Sequence, residues 1–187
     1  MEKQVEMMYR QAIKSASVQA KSATDEVGYY IDLFNDTGEA SSHVQNVHDA
    51  LNAVHRVMTA LVRYTSDESV IKPAKFVRRI ARNARNCASS VIEVHKMLEE
   101  KGGDGEEQAA MGRMNSALRI AAHMTKEAVA HMKKGEIGML TVKADYIYDI
   151  CDDVSKAYNE ADHAIKYAAR KAEDARIENM MMEWKGE

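Results

Sequence analysis

Residues 145–163, DYIYDICDDVSKAYNEADH, thread an apolar seam through an acidic segment. Ile147, Ile150, Val154, Ala157 and Ala161 recur at steps of three and four, the spacing that puts side chains on one side of an α-helix. The same rhythm continues through Ala164, Ala168 and Ala175. A stripe of this kind is the seam of helices packed nearly parallel or antiparallel.

Outward from this stretch the pattern repeats. Val44, Val47, Leu51, Val54, Met58 and Leu61 mark a second helix, and Val77, Ile80, Ala84, Cys87, Val91, Val94 and Leu98 a third. A fourth runs through Met111, Met114, Leu118, Ala121, Ala128 and Met132, with Thr125 filling one turn. The first helix is looser: Val5, Tyr9, Ala12, Ala16, Ala20, Ala23, Val27, Tyr30 and Phe34, with an alanine-rich middle that admits a close neighbour.

Turn signals separate the stripes. They are NDTG at 35–38, TSDESVIKP at 65–73, KGGDG at 101–105 and KKGEIG at 133–138. In the second, Ser66 or Ser69 is expected to cap the next helix, with Pro73 in its first turn, where a missing N–H costs nothing. Connections of about four to eight residues force antiparallel neighbours. The expected fold is all-α, an up-and-down antiparallel bundle of about five long helices, the last one longest.

A helix from about Glu136 to Trp184 spans roughly 70 Å, whereas the others, at about 30 residues, reach some 45 Å. Residues 1–169 are therefore expected to form the bundle and 170–187 a C-terminal helical extension. Its Met180, Met181, Met182 and Trp184 suit a partner surface, since methionine adapts to irregular contacts and tryptophan anchors interfaces. The competing expectation is a bend near Arg170–Asp174 that folds this cluster back onto the bundle.

Composition agrees with long helices: one proline, nine glycines and 6% aromatic residues leave little for turns or strands. A net charge of −3 argues against a general nucleic-acid coat but allows a local basic patch. No apolar run is long enough to cross a bilayer and no charged-then-apolar leader opens the chain, so a soluble cytoplasmic protein is expected. Cys87 and Cys151 are too few for a disulfide framework, and neither sits in a CxxC. Cys151 borders the apolar side of its helix and reads as a small core residue.

Two charged faces stand out. Asp145, Asp149 and Asp152 lie together opposite the seam, either as a solvated face or as oxygen ligands to a divalent metal whose shell a second helix completes. Asp153 and Glu160 flank the seam. Glu160 and His163 form a Glu-x-x-His, but carboxylate-bridged di-iron bundles need two such motifs, and Glu127 and His131 are spaced by four. The bundle, the pairs Asp145/Asp149 and Asp149/Asp153 and the segment NEAD at 159–162 resemble PhoU-like phosphate regulators. That resemblance implies a metal-binding regulator using outer-face carboxylates. It covers mainly residues 145–162, and the chain departs from it in lacking a sixth helix and a matching acidic motif in NVHDALNAVH, 46–55.

The basic counterpart is KPAKFVRRIARNARN, 72–86, where Lys75, Arg78, Arg79, Arg82 and Arg85 face away from the seam. Guanidinium forks suit phosphate or carboxylate. A solvated rim, a protein-partner surface and a phosphate or nucleic-acid site compete, the last weakened because Phe76 is the one nearby ring able to stack on a base. His48, His55 and His131 read as bundle-edge hydrogen-bonding residues. No nucleophile sits beside a base and no glycine-rich phosphate loop occurs; Arg119 and His123 are a weak pair one turn apart.

The expectation is thus a non-catalytic bundle acting through protein–protein contact, as a homo-oligomer or adaptor, through Arg78, Arg79, Arg82 and Arg85 or through Met181, Met182 and Trp184. No cofactor is expected beyond the metal that Asp145, Asp149 and Asp152 could hold. Because both charged stripes face outward on their own helices, they are expected to pair between copies rather than within one, giving salt-sensitive association.

Overall fold

The computed structural model describes residues 2–37 and 40–185, without the side chains of 2, 3, 5, 6, 9, 34–37, 40, 41, 183 and 185. Five helices follow in order: α1 Glu2–Thr37, α2 Ala40–Tyr64, α3 Glu68–Lys101, α4 Gln108–Lys134 and α5 Ile137–Lys185. No strand occurs among the described residues. None of these helices is long and apolar enough to cross a membrane.

The connections 65–67, 102–107 and 135–136 are mostly tighter than expected, because the helix ends are capped closely. Asp67, rather than Ser66 or Ser69, caps α3: its carboxylate accepts from the Ser69 N–H at 2.9 Å and from the Ser69 hydroxyl at 2.6 Å. These bonds hold the Asp67 carboxyl below its usual range. Pro73 falls inside α3 instead of in its first turn, so the Ser69 carbonyl loses the N–H that would have met it. At the other end, the Gly102 N–H bonds the Leu98 carbonyl at 2.9 Å with φ 69°. Gly103 lies under the buried Glu107 side chain: a Cβ there would stand 2.5 Å from its Oε1.

Helices α1 to α4 form a ring in chain order, α1 against α2, α2 against α3, α3 against α4 and α4 back against α1. Helix α5 lies on α3 and α4 and, among the described residues, is not packed on α1 or α2. Its own seam docks in the groove between those two helices through Leu140, Ala144, Ile147, Ile150, Val154, Ala157, Ala161 and Ile165. Leu51, Val54, Ile80, Val91, Leu118, Ile147 and Val154 are all buried, as their spacing predicts. Each large side chain so removed from water contributes about 1.5–3 kcal/mol before entropy is charged against it.

Three seam residues depart from expectation. Ala12 and Ala175 are exposed: Ala12 faces away from the core against which its neighbour Ile13 packs, and Ala175 lies in the exposed end of α5. Ile165 replaces Ala164 as the buried residue, the longer side chain reaching the groove after Ala161. Val5, Tyr9 and Phe34 lie outside the described side chains.

Candidate functional site

The basic stripe of α3 becomes a groove because α3 is flanked by α2 on one side and α5 on the other. A volume of about 810 Å³ is lined by Lys72, Lys75, Arg78, Arg79 and Arg82 of α3, with His55 and Thr59 from α2 and Tyr148 from α5. No carboxylate lines it. The predicted arginines divide into two kinds. Arg85 is committed to the bundle, donating to the Asn52 Oδ1 of α2 at 3.2 Å and to the Asn86 Oδ1 at 3.3 Å. Arg79 is committed too: its Nη2 donates to Asp145 Oδ1 at 3.1 Å, and its guanidinium stands over the Phe76 and Tyr148 rings at 5.7 and 5.5 Å. The shielded Arg79 Nε has no partner. Arg78 and Arg82 pair with no carboxylate among the described residues, and with Lys72 and Lys75, likewise without one, they carry the groove's open positive charge.

That Arg79–Asp145 pair corrects an expectation. The basic and acidic faces do meet inside one copy, because α5 is laid beside α3 and a long guanidinium reaches over the shared edge. His55 feels the same field. Burial first, then Arg85, Arg78 and Arg82, lower its pKa, which keeps the imidazole neutral at pH 7.

The acidic face of Asp145, Asp149 and Asp152 is as exposed as predicted, and two of its three members are paired separately. Asp145 is held by Arg79 and Asp152 by Lys156 at 2.6 Å. Among the described residues no three His, Cys, Asp or Glu side chains converge as metal ligands would. Glu160 pairs with Arg113 of α4, and His163 is exposed at the rim of a cleft with Tyr167 and Glu106. Three further histidines sit beside acids: His48 meets Asp49, His123 meets Glu127 and His131 meets Glu136, whereas His43 and His95 each keep one shielded ring nitrogen without a hydrogen-bond partner among the described residues. Cys151 is half-buried and packed against the core, 3.5 Å by sulfur from buried Cys87.

At the other end of α5 the helix runs on unbroken through Arg170–Asp174. From Arg170 to Trp184 every described side chain is exposed, over roughly 22 Å of helix. Ile177, Met180, Met181 and Trp184 follow at three, four and seven residues, so they form one apolar stripe; Trp184 is 84% exposed. Met182, 75% exposed, points off that stripe. Ile177 was not among the residues expected from sequence, although its i, i+3, i+4, i+7 relation to the others was the available signal. His55, Thr59 and Tyr148 were missed as groove walls because they come from neighbouring helices, which periodicity does not place.

No protein-family model, curated protein or solved structure matches the chain. Among the described residues, the fold and surface define a five-helix bundle with a basic groove along α3 and an exposed apolar stripe at the end of α5.

Proposed function

We propose that this chain is a non-catalytic bundle that assembles with further copies of itself through the projecting end of α5. The observation that carries this reading is the apolar stripe Ile177, Met180, Met181 and Trp184, exposed on a helical end against which no described residue is buried. Solitary helices of this length are marginal in water, and an i, i+3, i+4, i+7 set of anchors is how an amphipathic helix fills a groove.

A second copy offers a suitable groove on the face that α5 leaves uncovered. Between α1 and α2 a trough of about 400 Å³ is lined by Ala16, Ala23, Ala53, Val57 and Ala60, with Glu26 and Arg56 along it. Small side chains let a helix approach closely, and the two rim charges complement Arg176 and Glu178 of an incoming tail. Tail and trough are different surfaces, so the contact either closes as a reciprocal exchange of tails between two copies or propagates head-to-tail into rings or open chains. The test is chemical cross-linking followed by digestion and mass spectrometry. Tail-to-α1/α2 cross-links between differently isotope-labelled copies are expected, and they should vanish in Met181→Asp. Cross-links only within one copy would reject the reading.

A second reading follows from the basic groove: an anion carrying phosphate, held by Lys72, Lys75, Arg78 and Arg82. Because Arg79 already stands over Phe76 and Tyr148, those rings are poorly offered to bases, which favours phosphate over single-stranded nucleic acid. Calorimetry with inorganic pyrophosphate, expected to weaken with salt and in Arg82→Ala, tests it; no heat at low salt would reject it.

A further inference from the structure

Two thiols on different helices meet at the α3–α5 interface. Cys87 projects from α3 and is 2% exposed; Cys151 projects from α5 and is half-buried, its Sγ 3.5 Å from that of Cys87 and 3.8 Å from the Asn83 carbonyl oxygen. A disulfide needs about 2.05 Å between sulfurs, so each helix has to yield well under an ångström. The residues are 64 apart in sequence, and nothing but the packing of α5 on α3 brings them together. Their faces are also pinned in register by Arg79–Asp145 nearby.

We propose that Cys87 and Cys151 are an oxidative modification site, closed to an intramolecular disulfide by a hydroperoxide. Cys151 is the attacking sulfur because solvent reaches it and because the Cys87 S–H can donate to it. That hydrogen bond lowers the Cys151 pKa, and the same contact, followed by burial, raises that of Cys87. In the first step the Cys151 thiolate attacks one peroxide oxygen. The S–O bond forms, the O–O bond breaks, and the departing hydroxide takes a proton to become water. Cys151 is now a sulfenic acid, oxidised by two electrons, and the peroxide is reduced. In the second step Cys87 gives up its proton and its sulfur attacks that of Cys151. The S–S bond forms, the S–O bond breaks, and the hydroxyl leaves with the proton as a second water. Two thiols and one hydrogen peroxide thus become one disulfide and two waters. The bond ties α5 to α3 covalently beside Tyr148 of the basic groove and upstream of the projecting tail.

The test treats the reduced full-length chain with stoichiometric hydrogen peroxide. Intact mass should fall by about 2 Da, and a non-reduced digest should contain a Cys87–Cys151 cross-linked peptide. The melting temperature should rise by roughly 5–15 °C, since a long loop is closed in the unfolded chain, and dithiothreitol should reverse the change. In Cys87→Ala the sulfenic acid has no resolving thiol, so dimedone should label Cys151. Where Cys87→Ala fails to fold, Cys151→Ser, at the half-buried position, should leave Cys87 alkylatable after peroxide. Both thiols still alkylatable after peroxide, separate sulfinic acids, or a disulfide between two chains would each overturn the proposal.

Discussion

Arg79 shows how a single side chain decides what a charged face can do. From sequence it belongs to an outward basic stripe, yet in the fold it is spent on Asp145 and two aromatic rings. Exposed pairs of this kind contribute little, about 0–1 kcal/mol, so Arg79→Ala is expected to change the shape of the groove more than the stability of the bundle. Core residues behave oppositely. Ile147→Ala, at a fully buried position, should cost about 2–5 kcal/mol in chemical denaturation; a loss under 1 kcal/mol would mean that α5 is not docked by its seam. Two histidines add a pH dependence. Burial, with Arg85, Arg78 and Arg82 around it, lowers the pKa of His55, and burial lowers that of His95 against the opposing pull of Glu99. The unfolded chain therefore binds protons first as pH falls below about 6.5, so the stability these groups contribute is full above that pH and is lost on acidification towards their folded values. Melting temperature should fall between about pH 7 and pH 5, and His55→Gln should flatten part of the slope. The carboxylates of Glu127, hydrogen-bonded by Lys143, and Glu136, hydrogen-bonded by His131, act in a lower window, below their ordinary range of about 4.5. A slope between pH 7 and 5 that is the same in His55→Gln would remove His55 from this explanation.

At the scale of helices, legibility followed side-chain size. The α2 stripe from Val44 to Leu61 is buried as its period predicts, since large apolar residues leave no doubt about the inner face. In α1, alanines on several faces give no such contrast, and Ala12 lies exposed where the pattern continued. In α5 the bulk of Ile165, not the strict step to Ala164, marked the core. What periodicity cannot encode is which helix lies beside which. The meeting of Arg79 with Asp145, the closeness of Cys87 to Cys151 and the groove walls from His55 and Tyr148 all depend on α5 lying between α3 and α4. The length of α5 was legible, because helical rise is fixed, and so was its projection past its neighbours. Removing residues 178–187 should leave the far-ultraviolet circular dichroism per residue and the melting temperature nearly unchanged, because every described side chain there is exposed. A melting temperature lowered by more than about 5 °C would show that this end is packed within its own copy.

For the whole molecule, the basic groove and the apolar tail lie on different parts of the surface and make opposite demands on salt. Contacts through Arg78 and Arg82 weaken as ions screen them, whereas burial of Ile177, Met180, Met181 and Trp184 does not. The internal Arg79–Asp145 pair removes one of the charges available for pairing between copies, so the proposed assembly rests on the tail. Sedimentation velocity over a range of protein concentrations, for the full chain and for the chain ending at residue 177, tests this most directly. The full chain is expected to sediment as concentration-dependent oligomers that persist in high salt, and the shortened chain as a single species of about its 21.0 kDa protomer mass less the deleted tail. A full chain that stays monomeric at every concentration would contradict self-assembly through α5, as would a shortened chain that assembles equally well.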